Sequence, residues 1–295
     1  MKIQAINTIR NNYFTQNRPV SFKQGQDTFV KSSQPKTFEQ IAKSKRKFDI
    51  SDYKSLSKKE IKIAKEKANG LTEQAAKDNI FVAEYIKEYL DKIYGEDKYV
   101  FACIGTSPSG IGRVLEFMGV ETKYFPVSNF RDYKGICKFL DNNPKADNTY
   151  LSFLNSQGIT NEEIENNDKT VVFVDYADRG YTLECFEQFI KGRAKIDSEK
   201  VEFEDIYSMI GDATSDINSL AKEMRIMEYI NKYLVSAAIA DYTGVPHLSV
   251  YDFENFDKVL KENDLMSSKL YNLLIIDELN NKGKLKENPL NKGSL

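Results

Sequence analysis

Histidine and cysteine are scarce in this 295-residue chain, and neither occurs in a metal-holding pattern. The one histidine is His247, and Cys103, Cys137 and Cys185 lie 34 and 48 residues apart with no CxxC pair. A Cys/His zinc finger, an HExxH zinc protease and a disulfide framework are therefore excluded. A Ser-His or Cys-His hydrolase would have to use His247, and no GxSxG supplies a partner. His247 itself, in Val245-Pro246-His247-Leu248, reads as a hydrogen-bonded residue at a strand entrance. Long apolar runs are absent too. Val171-Val172-Phe173-Val174 and Leu273-Leu274-Ile275-Ile276 fall far short of the ~20 residues that cross a bilayer, so no membrane partner is expected. The opening MKIQAINTIRNNYF has no apolar stretch with a small-residue cleavage site, and a cytoplasmic location is the expectation. An excess of charge is lacking as well: 42 Lys+Arg against 44 Asp+Glu give −2, and the totals carry no signature of polyanion binding.

What the chain does contain is a soluble-domain composition, 41% hydrophobic and 29% charged. Residues 1–57 carry apolar side chains singly (Ile6, Tyr13, Phe22, Phe29, Phe38, Phe48), without a period of two or 3.6, and read as a disordered polar and basic arm. Residues 43–67 hold ten Lys/Arg against four acids. With no aromatic stacking pattern beside it, this window reads as a solvated linker entering a helix, and nucleic acid is not the expected partner. From Thr72, Ala75, Ala76, Val82, Ile86, Tyr89, Leu90 and Ile93 recur at spacings of three and four, predicting a helix capped by Thr72 and ended by Gly95. Strand Tyr99–Ile104, a small-residue loop, helix Ile111–Met118 and strand Glu121–Val127 form a βαβ unit. The pattern repeats with strand Thr170–Val174, helix Thr182–Ile190, strand Phe203–Ile210, helix Ser215–Ala240 and a last strand Leu248–Phe253. The expected fold is α/β over 58–280, a mainly parallel sheet with flanking helices, followed by a frayed tail at 281–295.

Ligands of open parallel sheets bind outside the carboxyl ends of the strands, where two loops carry the chemistry. The first, Gly105-Thr106-Ser107-Pro108-Ser109-Gly110-Ile111-Gly112, holds three glycines and three hydroxyls before a helix. Its N–H groups could hold a phosphate, with Thr106, Ser107 and Ser109 donating; the plain alternative is an ordinary turn with Ser109 as N-cap. No Walker Gly-Lys-Ser/Thr and no GxGxxG are present. The second loop follows Val171-Val172-Phe173-Val174 as Asp175-Tyr176-Ala177-Asp178-Arg179-Gly180-Tyr181-Thr182. A strand-end carboxylate accepts ribose hydroxyls or holds a hydrated cation, Gly180, Tyr181 and Thr182 would cradle phosphate at a helix start, and Arg179 adds charge. Alternatively, Asp178 and Thr182 simply cap the helix.

VVFVDYADRGYTL resembles the signature of the type I phosphoribosyltransferase-like superfamily: four apolar residues, two acids, a spacer, Thr-Gly-x-Thr and a helix. The likeness spans residues 98–210 and implies a phosphoribosyltransferase-like fold, phosphoribosyl pyrophosphate as ligand and, if the chain is active, Mg²⁺. In one register Arg179 stands for the first Thr, Gly180 for the Gly, Thr182 for the last Thr, and Asp178 for the acid that acts as base in purine-salvage members. Asp175 is then the second ribose acid and Val174 replaces the first. In the other register Asp175 is the first acid and Tyr176 replaces the second. Either way one carboxylate is missing. The catalytic candidates are thus Asp175 and Asp178. Gly105, Thr106, Ser107, Ser109 and Gly110 would hold pyrophosphate, and no protein metal ligand is assigned.

A rival likeness is to sugar isomerase domains, whose first unit has a Gly-Thr-Ser loop for phosphosugars. Here it rests on Ile104-Gly105-Thr106-Ser107, Gly119-Val120-Glu121 and Val127-Ser128-Asn129-Phe130-Arg131. That family's Ser-rich second loop has no counterpart. Both likenesses imply a phosphorylated sugar, and a third reading, an interaction protein that kept the fold without the activity, stays open, as does homo-oligomerisation. Gly211-Asp212-Ala213-Thr214-Ser215-Asp216 matches the GDxxxD pair of haloacid-dehalogenase-like phosphatases, but the DxD nucleophile is absent and Asp212 reads as a helix cap.

Overall fold

Tyr99–Ile104 is six consecutive apolar or aromatic residues, and it forms strand β1 with every position buried. Such a run suits a strand covered on both faces, as parallel strands are. The computed structural model describes residues 36–44, 47–68, 70–128, 130–176, 181–206, 208–209, 248–255 and 266–286. Strands β2 (Thr122–Phe125), β3 (Thr170–Asp175) and β4 (Val201–Asp205) join β1 in a parallel sheet of order β2-β1-β3-β4. The α/β class with flanking helices therefore holds. Alternate residues of the central strands feed two cores.

Phe101, Cys103, Val172 and Val174 face helices α1 (Phe38–Ala42), α2 (Ile50–Ser55), α3 (Lys58–Glu66), α4 (Gly70–Tyr94), α5 (Ser109–Phe117) and α10 (Met266–Asn281). Val100, Ala102, Ile104 and Phe173 face α6 (Tyr133–Asn142), α7 (Pro144–Ser156), α8 (Asn161–Asn166) and α9 (Tyr181–Gln188). The second core is aromatic: Phe125, Phe173 and Phe186 meet edge to face or tilted, and Tyr150 stacks on Phe253 at 4.1 Å.

Several expectations change, among them the strand expected over Phe203–Ile210, which is Val201–Asp205. First, residues 36–57, placed by composition in a disordered arm, are instead helical and packed in their described part. Thr37 and Asp49 cap α1 and α2 with capping boxes, and Phe38 and Phe48 are buried in the first core. Each such burial removes enough apolar surface to stabilise by ~2–3 kcal/mol. The basic window is tied down as well: Lys47 pairs with Glu116, Lys65 with Asp277 and Lys67 with Glu39. Second, Leu248–Phe253 is not a strand. Ser249 makes one parallel bridge to Ser128, and Val250–Asn255 is a 3₁₀ helix whose i, i+3 pair Val250 and Phe253 is buried. Third, the tail stays docked to residue 286, where the Lys286 N–H donates to Phe117 O at 2.9 Å. Residues 1–35, the expected helix Ser215–Ala240, Asp212, Asp216 and His247 lie outside the described residues.

Helix α10 runs through the first core with Lys269 at 1% and Asn272 at 0% exposure. The Lys269 ammonium donates to the carbonyls of Ile41, Ala42 and Ser44, meeting the negative end of α1. No described helix is long and apolar enough to cross a membrane.

Candidate functional site at the sheet's switch point

The order β2-β1-β3-β4 sends the chain to one side after β1 and to the other after β3. The following helices, α5 and α9, lie on opposite faces. In open parallel sheets this reversal is where ligands bind, outside the carboxyl ends of the two adjacent strands. The register aligns Cys103 with Val174, so the two candidate loops start side by side, one after Ile104 and the other at Asp175.

In the first loop the glycines have individual reasons. Gly105 has φ +72°, and a Cβ there would stand 2.9 Å from Val127 O, so the turn needs a residue without a side chain. Gly110 and Gly112 serve packing: a Cβ on Gly110 would lie 2.8 Å from Asn79 Nδ2, and one on Gly112 would lie 2.4 Å from Cys103 Sγ. Their presence is explained without a ligand, which lowers the weight of glycine count as a phosphate signal. Ser109 is not the N-cap. It is the first helical residue, fully buried, and its hydroxyl donates to Thr106 O; the N-cap is Pro108, which makes no side-chain cap bond. The N–H groups of Gly110 and Ile111 consequently find no acceptor among the described residues. Thr106 and Ser107 are half-buried beside them. A helix start with orphan amides and two reachable hydroxyls can bind an anion.

Behind this turn Asn79 Nδ2 donates to the Tyr271 hydroxyl at 2.6 Å, which donates to Gly110 O at 3.4 Å. These partners are 192 and 161 residues apart in sequence, so no local signal points to them. Equally hidden is the support beneath α5. Arg113, 2% exposed, donates to Glu116 at 2.5 Å and lies over the Tyr124 ring, while the Tyr124 hydroxyl and Lys47 also reach Glu116. Arg113 is thereby held in the core.

Asp175 ends β3 at 7% exposure, beside Asp205 of β4 in register. Its Oδ1 accepts the Tyr176 N–H at 2.7 Å, and no other described group hydrogen-bonds it. Burial pushes the carboxyl up to about 7, against a smaller lowering by that N–H. Because the folded value lies above the unfolded ~3.9, the native state holds its proton longer, and stability falls as pH rises from about 4 to 7. Asp175→Asn should therefore match the parent near pH 4 and exceed it by a few kcal/mol at pH 8, measured by urea unfolding at both values; equal stabilities at pH 8 would contradict this. Tyr181 opens α9 at 56% exposure and Thr182 is half-buried. Asp178, Arg179 and Gly180 lie outside the described residues.

Ser128, just beyond β2, has a buried hydroxyl without a partner among the described residues. An open depression of about 830 Å³ lies elsewhere, before β3, lined by Thr160, Glu162, Glu163, Asn167 and Asp168. Its acids disfavour a phosphate. Among the described residues no three His, Cys, Asp or Glu side chains group to hold a metal ion. No family model, curated protein or solved structure matches the chain.

Proposed function

We propose that this chain binds a phosphorylated sugar in the crevice between the β1–α5 and β3–α9 loops. The phosphate meets the α5 amides with Thr106 and Ser107, and the sugar hydroxyls meet Asp175. The observation that carries the reading is the register of β1 and β3, which sets the strand end that leads to the α5 amides beside the strand end that carries Asp175. Phosphoribosyl pyrophosphate and ribose 5-phosphate are the ligands first in line. Mg²⁺ fits such a ligand through the phosphate oxygens and water, since the described residues offer it no cage. It would neutralise pyrophosphate charge there.

Binding is favoured over transfer. Val174 is fully buried and packs in the first core, so it offers a ligand nothing, and neither sequence neighbour of Asp175 is an acid. Sugar orientation should suffer more than affinity. A second reading, a sugar isomerase-like binder of hexose phosphates, is favoured by one contact: Gly105 abuts Val127 O, so the Gly105-Thr106-Ser107 loop adjoins the Val127-Ser128 strand end.

Isothermal titration with phosphoribosyl pyrophosphate, ribose 5-phosphate and glucose 6-phosphate, with and without Mg²⁺, tests both. Ser107→Glu, which sets a carboxylate at the α5 start, should lower the affinity at least tenfold. Absence of heat with every ligand, or an undiminished affinity in the variant, overturns the reading.

A further inference from the structure

We infer that the outer face of α3, with Lys58, Lys59 and Lys62, is a docking surface for the phosphate backbone of a nucleic acid. The inference is independent of the phosphosugar reading and concerns a different part of the molecule.

Its basis is the way the fold sorts the basic window. Lys47, Lys65 and Lys67 are taken up by acids of this chain, Glu116 of α5, Asp277 of α10 and Glu39 of α1. Lys58, Lys59 and Lys62 are exposed, and none of the three pairs with an acid among the described residues. Ala64 is buried and Ile61 half-buried on the other side of α3, so the lysines, at i, i+1 and i+4, share the side turned to water. The Phe38 N–H donates to Glu60 Oε2 at 3.2 Å, which pins the start of α1 to the first turn of α3 and engages the acid of that turn. Lys36, exposed and unpaired among the described residues, stands two positions before Phe38.

Charge complementarity names the partner. Lys58 and Lys59 occupy the first turn of α3, where the positive end of the helix dipole disfavours cations, so the helix itself gains nothing from them. Among the described residues, lysines outnumber acids nine to five over 36–68, whereas acids outnumber Lys/Arg in the remainder. The α1–α3 layer is thus a cationic surface on an acidic body, and an approaching polyanion is steered to it. Lys58 and Lys62 stand one helical turn, about 6 Å, apart, with Lys59 beside them, a string of charges that suits successive phosphates better than a single one. A lipid surface is disfavoured because α3 turns Ala64 and Ile61 inward and leaves only Ile63, 37% exposed, to enter a bilayer. With no aromatic residue on α3, the contact senses backbone charge and does not read bases.

Fluorescence anisotropy of labelled oligo(dT) and of a labelled DNA duplex, titrated with the full chain, tests this. Both should bind, and four lysine–phosphate contacts should make the affinity fall roughly 50-fold or more between ~50 and ~200 mM salt. The triple variant Lys58→Gln/Lys59→Gln/Lys62→Gln should bind at least tenfold more weakly at the lower salt and lose about two units of the logarithmic salt slope. Lys134→Gln/Lys138→Gln/Lys145→Gln, an equal loss of exposed charge elsewhere, should stay within about twofold of the wild type. No binding of either probe at the lower salt overturns the inference, as does an α3 variant that binds like the wild type, or a control variant that loses as much. Tighter binding to phosphatidylserine vesicles than to either probe overturns it in favour of a lipid surface. A salt-labile dimer that only the α3 variant breaks, without binding of the probes, overturns it in favour of a second copy of this chain. The thermal midpoint of the α3 variant should not fall; a fall would assign the lysines to the fold and overturn the inference as well.

Discussion

Gly112→Ala should lower the stability of the domain by about 3 kcal/mol, visible as a fall of roughly 10 °C in the thermal midpoint followed by circular dichroism. The added methyl would stand 2.4 Å from Cys103 Sγ, 3.2 Å from Thr122 Cγ2 and 3.3 Å from Tyr124 Cε1. Each of these is a buried side chain on β1 or β2, so none can swing into solvent. The helix must lift from the sheet instead, and the loosened packing along the whole α5 interface outweighs the dispersion attraction that one methyl adds. Cys103→Ala removes the closest atom. The double variant should therefore recover part of the loss, giving a coupling well outside simple additivity. A fully additive pair of effects would place the strain somewhere other than this pair of residues.

Glu116→Ala should be the more damaging change in the same helix, at about 3–5 kcal/mol in urea unfolding. Glu116 receives Arg113, the Tyr124 hydroxyl and Lys47, and its removal leaves the guanidinium, 2% exposed, without its carboxylate. Arg113→Met should cost less, because Glu116 keeps Lys47 and Tyr124 and the thioether packs on the Tyr124 ring. The ranking is the test: if the arginine variant proves the weaker protein, the charge argument is wrong. Lys47 also ties the segment between α1 and α2 to α5, so Glu116→Ala should speed cleavage by trypsin between residues 43 and 47.

Strands β1 and β3 were legible because their information is local. Tyr99–Ile104 and Val171–Val174 are uninterrupted apolar runs ended by small or acidic residues, and a parallel sheet covered on both faces requires just such runs. Helix α4 was legible from its spacing, although it begins at Gly70 and not at Thr72, which is buried in its first turn. Leu248–Phe253 deceived because a short apolar run fits a strand and a 3₁₀ turn equally; stacking on Tyr150 decided for the latter. Phe38 and Phe48 looked like stray apolar residues in a polar arm. They meet each other, but the core they enter is completed by α10, far along the chain, and no window of sequence contains both halves. At the site, Asp175 could be read from its strand, but its burial could not, and the Asn79–Tyr271 support depends on helices brought together only by the fold.

Helix α10 has a kinetic consequence. It lies against α2, α3, α4 and α5, and the Tyr53 hydroxyl finds its Asp277 partner 224 residues downstream. During synthesis the sheet and the aromatic layer of α6–α9 can assemble while α1–α3 still have nothing to close upon. Joining the two ends of so long a loop carries an entropic cost that only the completed helix offsets. Until α10 leaves the ribosome, Phe38, Phe48 and the apolar side of α4 stand open to water, and the nascent domain is a client for any chaperone that holds exposed apolar helices.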